Sequence, residues 1–274
     1  MPVDMKARFS FHAGFVLELF DGWSEIMNAS TAEKLRVFSD PQQRERLREL
    51  AEGTANMRHL TRWQDLVLVE TFSQSTKAFA GRRVGDVADE IGKAPFDALV
   101  DIAIADDMRT TFMRFSREPT QADWDARLRV WNDPRALIGA SDAGAHLDMI
   151  AAFRYSTGFI EEAVRTHRLL PLEQAVHMLT GAPARLYGVR DRGVLRVGAH
   201  ADVLVFDEDS IGSQPVGTRF DLPGGAGRLY ADPIGVDHVI ANGVEVAASG
   251  EYTGARAGII LRSGRDTMTP SLEL

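Results

Sequence analysis

Apolar residues recur along this chain with two different periods, and the change from one to the other divides it. In "RFSFHAGFVLELF", Phe9, Phe11, Ala13 and Phe15 partly alternate with other residues, which predicts a strand near the start. Residues 30–57 read as helix: Ser39-Asp40-Pro41 is an N-terminal signal, and Leu47, Leu50 and Ala51 follow at helical spacing. "DLVLVETF" is a short apolar run of strand type. "RRVGDVADEIG" and "APFDALVDIAIADD" read as two amphipathic helices separated at Gly92-Lys93, and Trp124, Leu128 and Trp131 mark another over 120–131. The continuous apolar run of "RALIGASD" predicts a further strand, buried on both faces. Residues 157–168 and 171–180 read as helices, the second opened by Pro171.

After Gly188 the texture changes. "GVLRVGAHADVLVFD", "VDHVIANGVEVAAS" and "GARAGIILR" are short β segments joined by Gly and Asn-Gly turns. A Gly- and Pro-rich loop is expected over 210–232. The fold class is therefore α/β, with α/β texture over 1–188 and a mainly-β segment over 189–274.

Composition changes this picture only by exclusion. With 31 basic and 39 acidic residues the net charge is −8, which argues against a general nucleic-acid surface. The absence of cysteine excludes disulfides and Cys-ligated metal sites and fits a reducing cytoplasm. No run reaches the roughly 20 apolar residues needed to span a bilayer, and the charged start has no signal-peptide core. No membrane partner is expected.

The chemistry centres on "ALIGASDAGAHLDMI", where an apolar run ends on a carboxylate, Asp142. A buried strand gains nothing from a charge at its end unless something there requires one. On spacing alone Asp142 is equally a helix N-cap or an Asx-turn. His146, four residues on, shares a face with it if the segment is helical, and is then suited to hold a metal, orient a carbonyl or shuttle a proton; otherwise it is an ordinary loop histidine.

Four stretches read together, "LIGASDAGAH", "PLEQAVHMLTGAPARLYGV", "DRGVLRVGAHADVLVFD" and "VIANGVEVAASGEYTG", resemble the amidohydrolase superfamily. The resemblance is to the C-terminal portion of its N-acyl-D-amino-acid deacylase (D-aminoacylase) branch and covers about residues 60–262 in order. It implies the C-terminal part of a metal-dependent (β/α)8 TIM-like barrel over 1–188, with active-site residues at the strand ends. It also implies part of a small β-sandwich over 189–274.

By the resemblance, Asp142 is the catalytic and metal-contacting carboxylate. It would take a proton from a zinc-bound water and return it to the departing amine. Gly144 and the neighbouring alanines would leave room for substrate. Arg154 stands where the branch tends to place a basic residue, suited to grip a substrate carboxylate through paired hydrogen bonds, although "FRYSTG" departs from the usual pattern there. A solvated surface arginine is the competing reading.

The implied cofactor is zinc, and the implied substrate a small N-acyl amino acid or related amide. The branch takes most zinc ligands from a His-x-His pair and middle-strand histidines. Here the seven histidines, His12, His59, His146, His167, His177, His200 and His238, are scattered, and no His-x-His occurs. The expectation is a truncated chain completed by a missing N-terminal half or by self-association. The alternatives are a non-catalytic scaffold remnant of the fold and a small metalloenzyme that uses His12, His146 and Asp142.

Overall fold

The computed structural model describes residues 7–139, 141–142 and 144–269. The first strand, β1 (Arg8–Ser10), is shorter than its alternation implies. Gly14, at φ 133°, ends the extended run, and Phe15–Glu18 turns into a one-turn helix, α1, followed by α2 (Ser24–Met27).

The helical span 30–57 divides where its punctuation sits. Thr31–Ser39 (α3) stops at Asp40, whose side chain caps Pro41–Gly53 (α4) by accepting from the amides of Gln42 (2.9 Å) and Gln43 (3.0 Å). Asp40→Ala is expected to cost about 1 kcal/mol, read as a lower denaturant midpoint at unchanged slope.

The expected run at 65–72 forms β2 (Leu66–Glu70), and the two amphipathic patterns form α5 (Val84–Ile91) and α6 (Pro95–Ala105), parted at the left-handed Gly92. Strand β3 (Thr111–Arg114) then lies between the other two, in the order β1-β3-β2. Its registers, Phe9 with Phe112 and Leu68 with Phe112, set apolar side chains on one face. That face meets the helices. Phe11, Trp23, Phe38, Phe96, Leu99 and Phe112 form the main core, with Trp23 donating its indole N–H to the Leu47 carbonyl at 2.9 Å.

Both pairings in this sheet are antiparallel, and among the described residues the strands do not close into a ring. This pairing satisfies the backbone N–H and C=O groups along both sides of β3.

One buried carboxylate links the helical layer to the loop after β2. Asp106 accepts from the amides of Phe72 (3.0 Å) and Ser73 (2.8 Å) and from the hydroxyls of Thr76 (2.6 Å) and Thr110 (2.6 Å). Burial pushes its pKa up, but the four donated hydrogen bonds outweigh that, and the carboxyl titrates below its ordinary range.

A second core gathers Trp124 and Trp131 of α7 (Gln121–Trp131) with Ile138, Phe159 and Leu170. Thr120 and Asp123 close a reciprocal capping box at the start of α7. The helical pattern at 157–168 becomes α8 (Tyr155–Ile160) running into a π-helical turn, Glu161–Thr166. Leu172–Leu179 (α9) and Gly181–Leu186 (α10) follow.

Beyond α10 the chain is mainly strand. Val203–Phe206 (β4), Val236–Ala241 (β9), Val244–Ala248 (β10) and Glu251–Tyr252 (β11) form one antiparallel sheet, with the β9–β10 hairpin turning at Asn242-Gly243. Two expectations need correction. "GARAGIILR" forms no strand, and Ile259 and Ile260 are left exposed: an apolar run does not by itself make backbone pairing. The loop over 210–232 contains paired strands, Gly212–Ser213 (β5) with Pro233–Ile234 (β8) and Gly217–Arg219 (β6) with Arg228–Tyr230 (β7). This excursion returns to the first sheet: the Glu70 carboxylate accepts from Arg8 (3.0 Å) and from the Thr218 hydroxyl (2.6 Å) and amide (3.0 Å).

Candidate active site

The segment expected as a buried strand at 135–142 forms no strand among its described residues. Its apolar character is used differently. Asp133 folds the chain back by accepting from the Arg135 amide at 2.9 Å, and Ile138 then packs into the Trp124–Trp131 core. Burial of the side chain is achieved without pairing of the backbone.

Asp142 is exposed, at φ 55°, and its side chain neither caps a helix nor pairs with another described residue. Gly144 (φ 97°) and His146 (φ 50°) are also left-handed, so the three alternate positions from 142 to 146 share an uncommon backbone region. Residues 144–149 are turns and bends, so the helical face that would have aligned Asp142 with His146 does not exist. Ala140 and Ala143, two of the small residues around Asp142, lie outside the described residues.

His146 is exposed and stacks on Phe15, with ring centroids 4.5 Å apart. Backbone bonds tie the segment down on two sides. The Met149 carbonyl accepts from the Arg8 amide at 2.9 Å, and the Leu147 carbonyl from the Leu229 amide at 2.7 Å. The motif is thus an anchored loop between β1 and β7, with Asp142 facing outward at one end.

Arg154 sits elsewhere. It ends a 3-10 turn, Ala152–Arg154, directly before α8, and forms an ion pair with Glu162 at 3.7 Å. Both line a cleft of about 640 Å³ on the face of the first sheet opposite the main core, together with Arg8, Trp124, Glu161 and His167. The π turn sets Glu161 and Glu162 along this cleft, and such turns recur at functional sites. His167 stacks on Trp124 at 4.1 Å. Neither Asp142 nor His146 lines the cleft.

So the structure separates the candidates: Arg154 in a charged cleft, His146 against Phe15, Asp142 in solvent. The cleft residues Arg8, Glu161, Glu162 and His167 were not singled out by sequence. The one signal available was the helical pattern over 157–168, which placed Glu161, Glu162 and His167 on an element without showing what faces them.

Among the described residues no group of three His, Asp or Glu side chains is placed to hold a metal ion. The donors present therefore do not fit a zinc site by themselves. The arrangement of His12, His146 and Asp142 fails for the same reason. His12 lies edge-on to Phe220 at 6.4 Å, with its Nδ1 buried and without a hydrogen-bond partner. Burial, then the charges of Lys34 and Arg109, push the His12 pKa down, so the ring is neutral at pH 7. Lys34 is itself buried, donating to the His12 carbonyl at 2.6 Å; burial lowers its pKa and Glu18 partly offsets that.

The family model described as "Amidohydrolase family" matches residues 18–247, and the chain belongs to that family. Its mixed α/β part followed by a mainly-β part is consistent with that family.

N-acyl-D-glutamate deacylase from Alcaligenes xylosoxydans xylosoxydans is 35% identical over 122 residues, 43% of this chain and 22% of that protein. N-acyl-D-aspartate deacylase from the same organism is 33% identical over 141 residues, 50% of this chain and 26% of that one. Among solved structures, N-acyl-D-glutamate deacylase from Bordetella bronchiseptica, complexed with zinc and a phosphonate inhibitor, is 23% identical with a TM-score of 0.45. That match covers 88% of this chain and 47% of the other. The chain spans about a quarter of the length of the curated relatives it matches. No described helix is long and apolar enough to cross a membrane.

Proposed function

We propose that this chain is part of an amide-bond hydrolase acting on N-acyl amino acids, in the manner of the N-acyl-D-amino-acid deacylases. The observation that carries this reading is the family match over 18–247, which takes in Asp142, His146 and Arg154. In this reading Asp142 is the proton acceptor and donor of the reaction, Arg154 holds the substrate carboxylate, and His146 lines the approach. A zinc ion would supply a polarised water, with its other ligands coming from outside the described residues. The units proposed are a partial barrel over 1–188 and a sandwich segment over 189–274, acting in a reducing cytoplasm.

The exposure of Asp142 favours a second reading, a scaffold remnant without catalysis. One experiment separates the two. Release of free amino acid from N-acetyl-D-glutamate and N-acetyl-D-aspartate is measured for the chain alone and for the chain co-expressed with the polypeptide encoded directly upstream, each with and without zinc. Zinc-dependent turnover by the co-expressed pair, and none by the chain alone, is expected. Absence of turnover in every arm would leave the scaffold reading; turnover by the chain alone would overturn the need for a second half.

A further inference from the structure

The arginines of this acidic protein are mostly matched to carboxylates. Arg36 pairs with Glu33, Arg48 with Glu45 and Glu52, Arg117 with Asp123, and Arg228 with Asp221. Arg58, Arg62 and Arg114 are different. No ion pair or hydrogen bond engages the guanidinium group of any of them with another described residue, yet all three line one cleft of about 470 Å³, with His59 and Thr61. In a chain carrying 39 acidic residues, three guanidinium groups without carboxylate partners along one concavity set up a local positive potential that attracts an anion.

The cleft is built on rigid supports. Arg58 and Arg62 project from a turn whose intervening and flanking residues Met57, Leu60 and Trp63 are buried in the main core. Trp63 is held further by its indole N–H, which donates to Glu52 at 3.1 Å. Arg114 reaches the same place through the sheet: it stands opposite Leu66 in the β2–β3 register, and the next amide, Phe115, donates to the Asp65 carbonyl at 3.1 Å. The one carboxylate among the described lining residues, Glu52, is already engaged by Arg48 at 2.7 Å and by Trp63. The cleft therefore presents an excess of positive charge from side chains whose backbones are fixed.

We infer that this cleft binds a small polyvalent oxyanion, held by the forks of Arg58, Arg62 and Arg114. Guanidinium groups grip phosphoryl and carboxylate oxygens through paired, charge-assisted hydrogen bonds. The inference is independent of the proposed hydrolysis, because neither Asp142 nor Arg154 lines this cleft.

The test is calorimetric titration of the full chain at low ionic strength with two probes, inorganic pyrophosphate and citrate, which separate phosphoryl from carboxylate recognition. Binding of at least one probe, weakened by added salt, is expected. Arg62→Ala and Arg114→Ala should each raise Kd about tenfold or more, and Arg62→Lys by less. Arg129→Ala, which removes an exposed arginine that does not line the cleft, should leave Kd unchanged. Because Arg58, Arg62 and Arg114 are exposed, their replacement should leave the melting temperature in place. No heat with either probe, or equal weakening by Arg129→Ala and Arg114→Ala, would overturn the inference.

Discussion

Asparagine at position 142 is expected to lower kcat for N-acyl amino acid hydrolysis by the zinc-loaded, co-expressed enzyme about 10²- to 10⁴-fold, with KM little changed. The change keeps the size and shape of the side chain and removes its ability to take up a proton. In the proposed reaction the attacking water must lose a proton and the departing amine must gain one, and a single carboxylate performs both transfers. Asp142 has no structural duty that would confuse the result: it is exposed, and it bonds through its side chain to no described residue. Melting temperature should therefore be unaltered while turnover falls. Equal kcat in the wild type and Asp142→Asn would remove Asp142 from the chemistry and, with it, the proposed mechanism.

Alanine at position 106 is expected to destabilise the fold by about 3 kcal/mol or more, a larger effect than any surface change should produce. The carboxylate is 1% exposed and accepts from two amides and two hydroxyls. Removing it leaves two part-buried amides and two buried hydroxyls competing for partners. Asp106→Asn should be an intermediate case, since the amide NH2 group adds a donor where donors already converge. The pH dependence has a definite sign. The Asp106 pKa is lower folded than unfolded, so its stabilisation is fully present above the ordinary aspartate range, about 4. It is lost as pH falls through the folded value. Urea midpoints for wild type and Asp106→Ala should converge in acid, and a constant gap down to about pH 2 would contradict this assignment.

Legibility in the sequence followed the range of the interactions involved. Ser39-Asp40-Pro41 carried the N-terminal signal of α4, inside a span that read as helix throughout, because capping is a contact between near neighbours. Asn242-Gly243 marked the β9–β10 hairpin because a tight turn depends on the φ preferences of two residues. "RALIGASD" misled because an apolar run records burial, not the backbone pairing by which burial occurs, and Ile138 is buried against Trp131 without a strand. The cleft around Arg154 could not be read at all. Its walls come from Arg8, Trp124 and the 213–216 segment, residues with no periodic relation to one another.

What the chain's own order of residues determined is therefore local and familial: the α/β texture, the caps and turns, the helices, and the motifs that mark an amidohydrolase. Tertiary structure alone decided that Glu70 would be joined to Thr218 across 148 positions, that Asp142 would face outward while Arg154 lies in a cleft, and that three unmatched arginines would meet. The reason is physical. Local preferences are set by sterics and hydrogen bonds within a few residues, whereas convergence depends on which surfaces the folded chain can bury against one another.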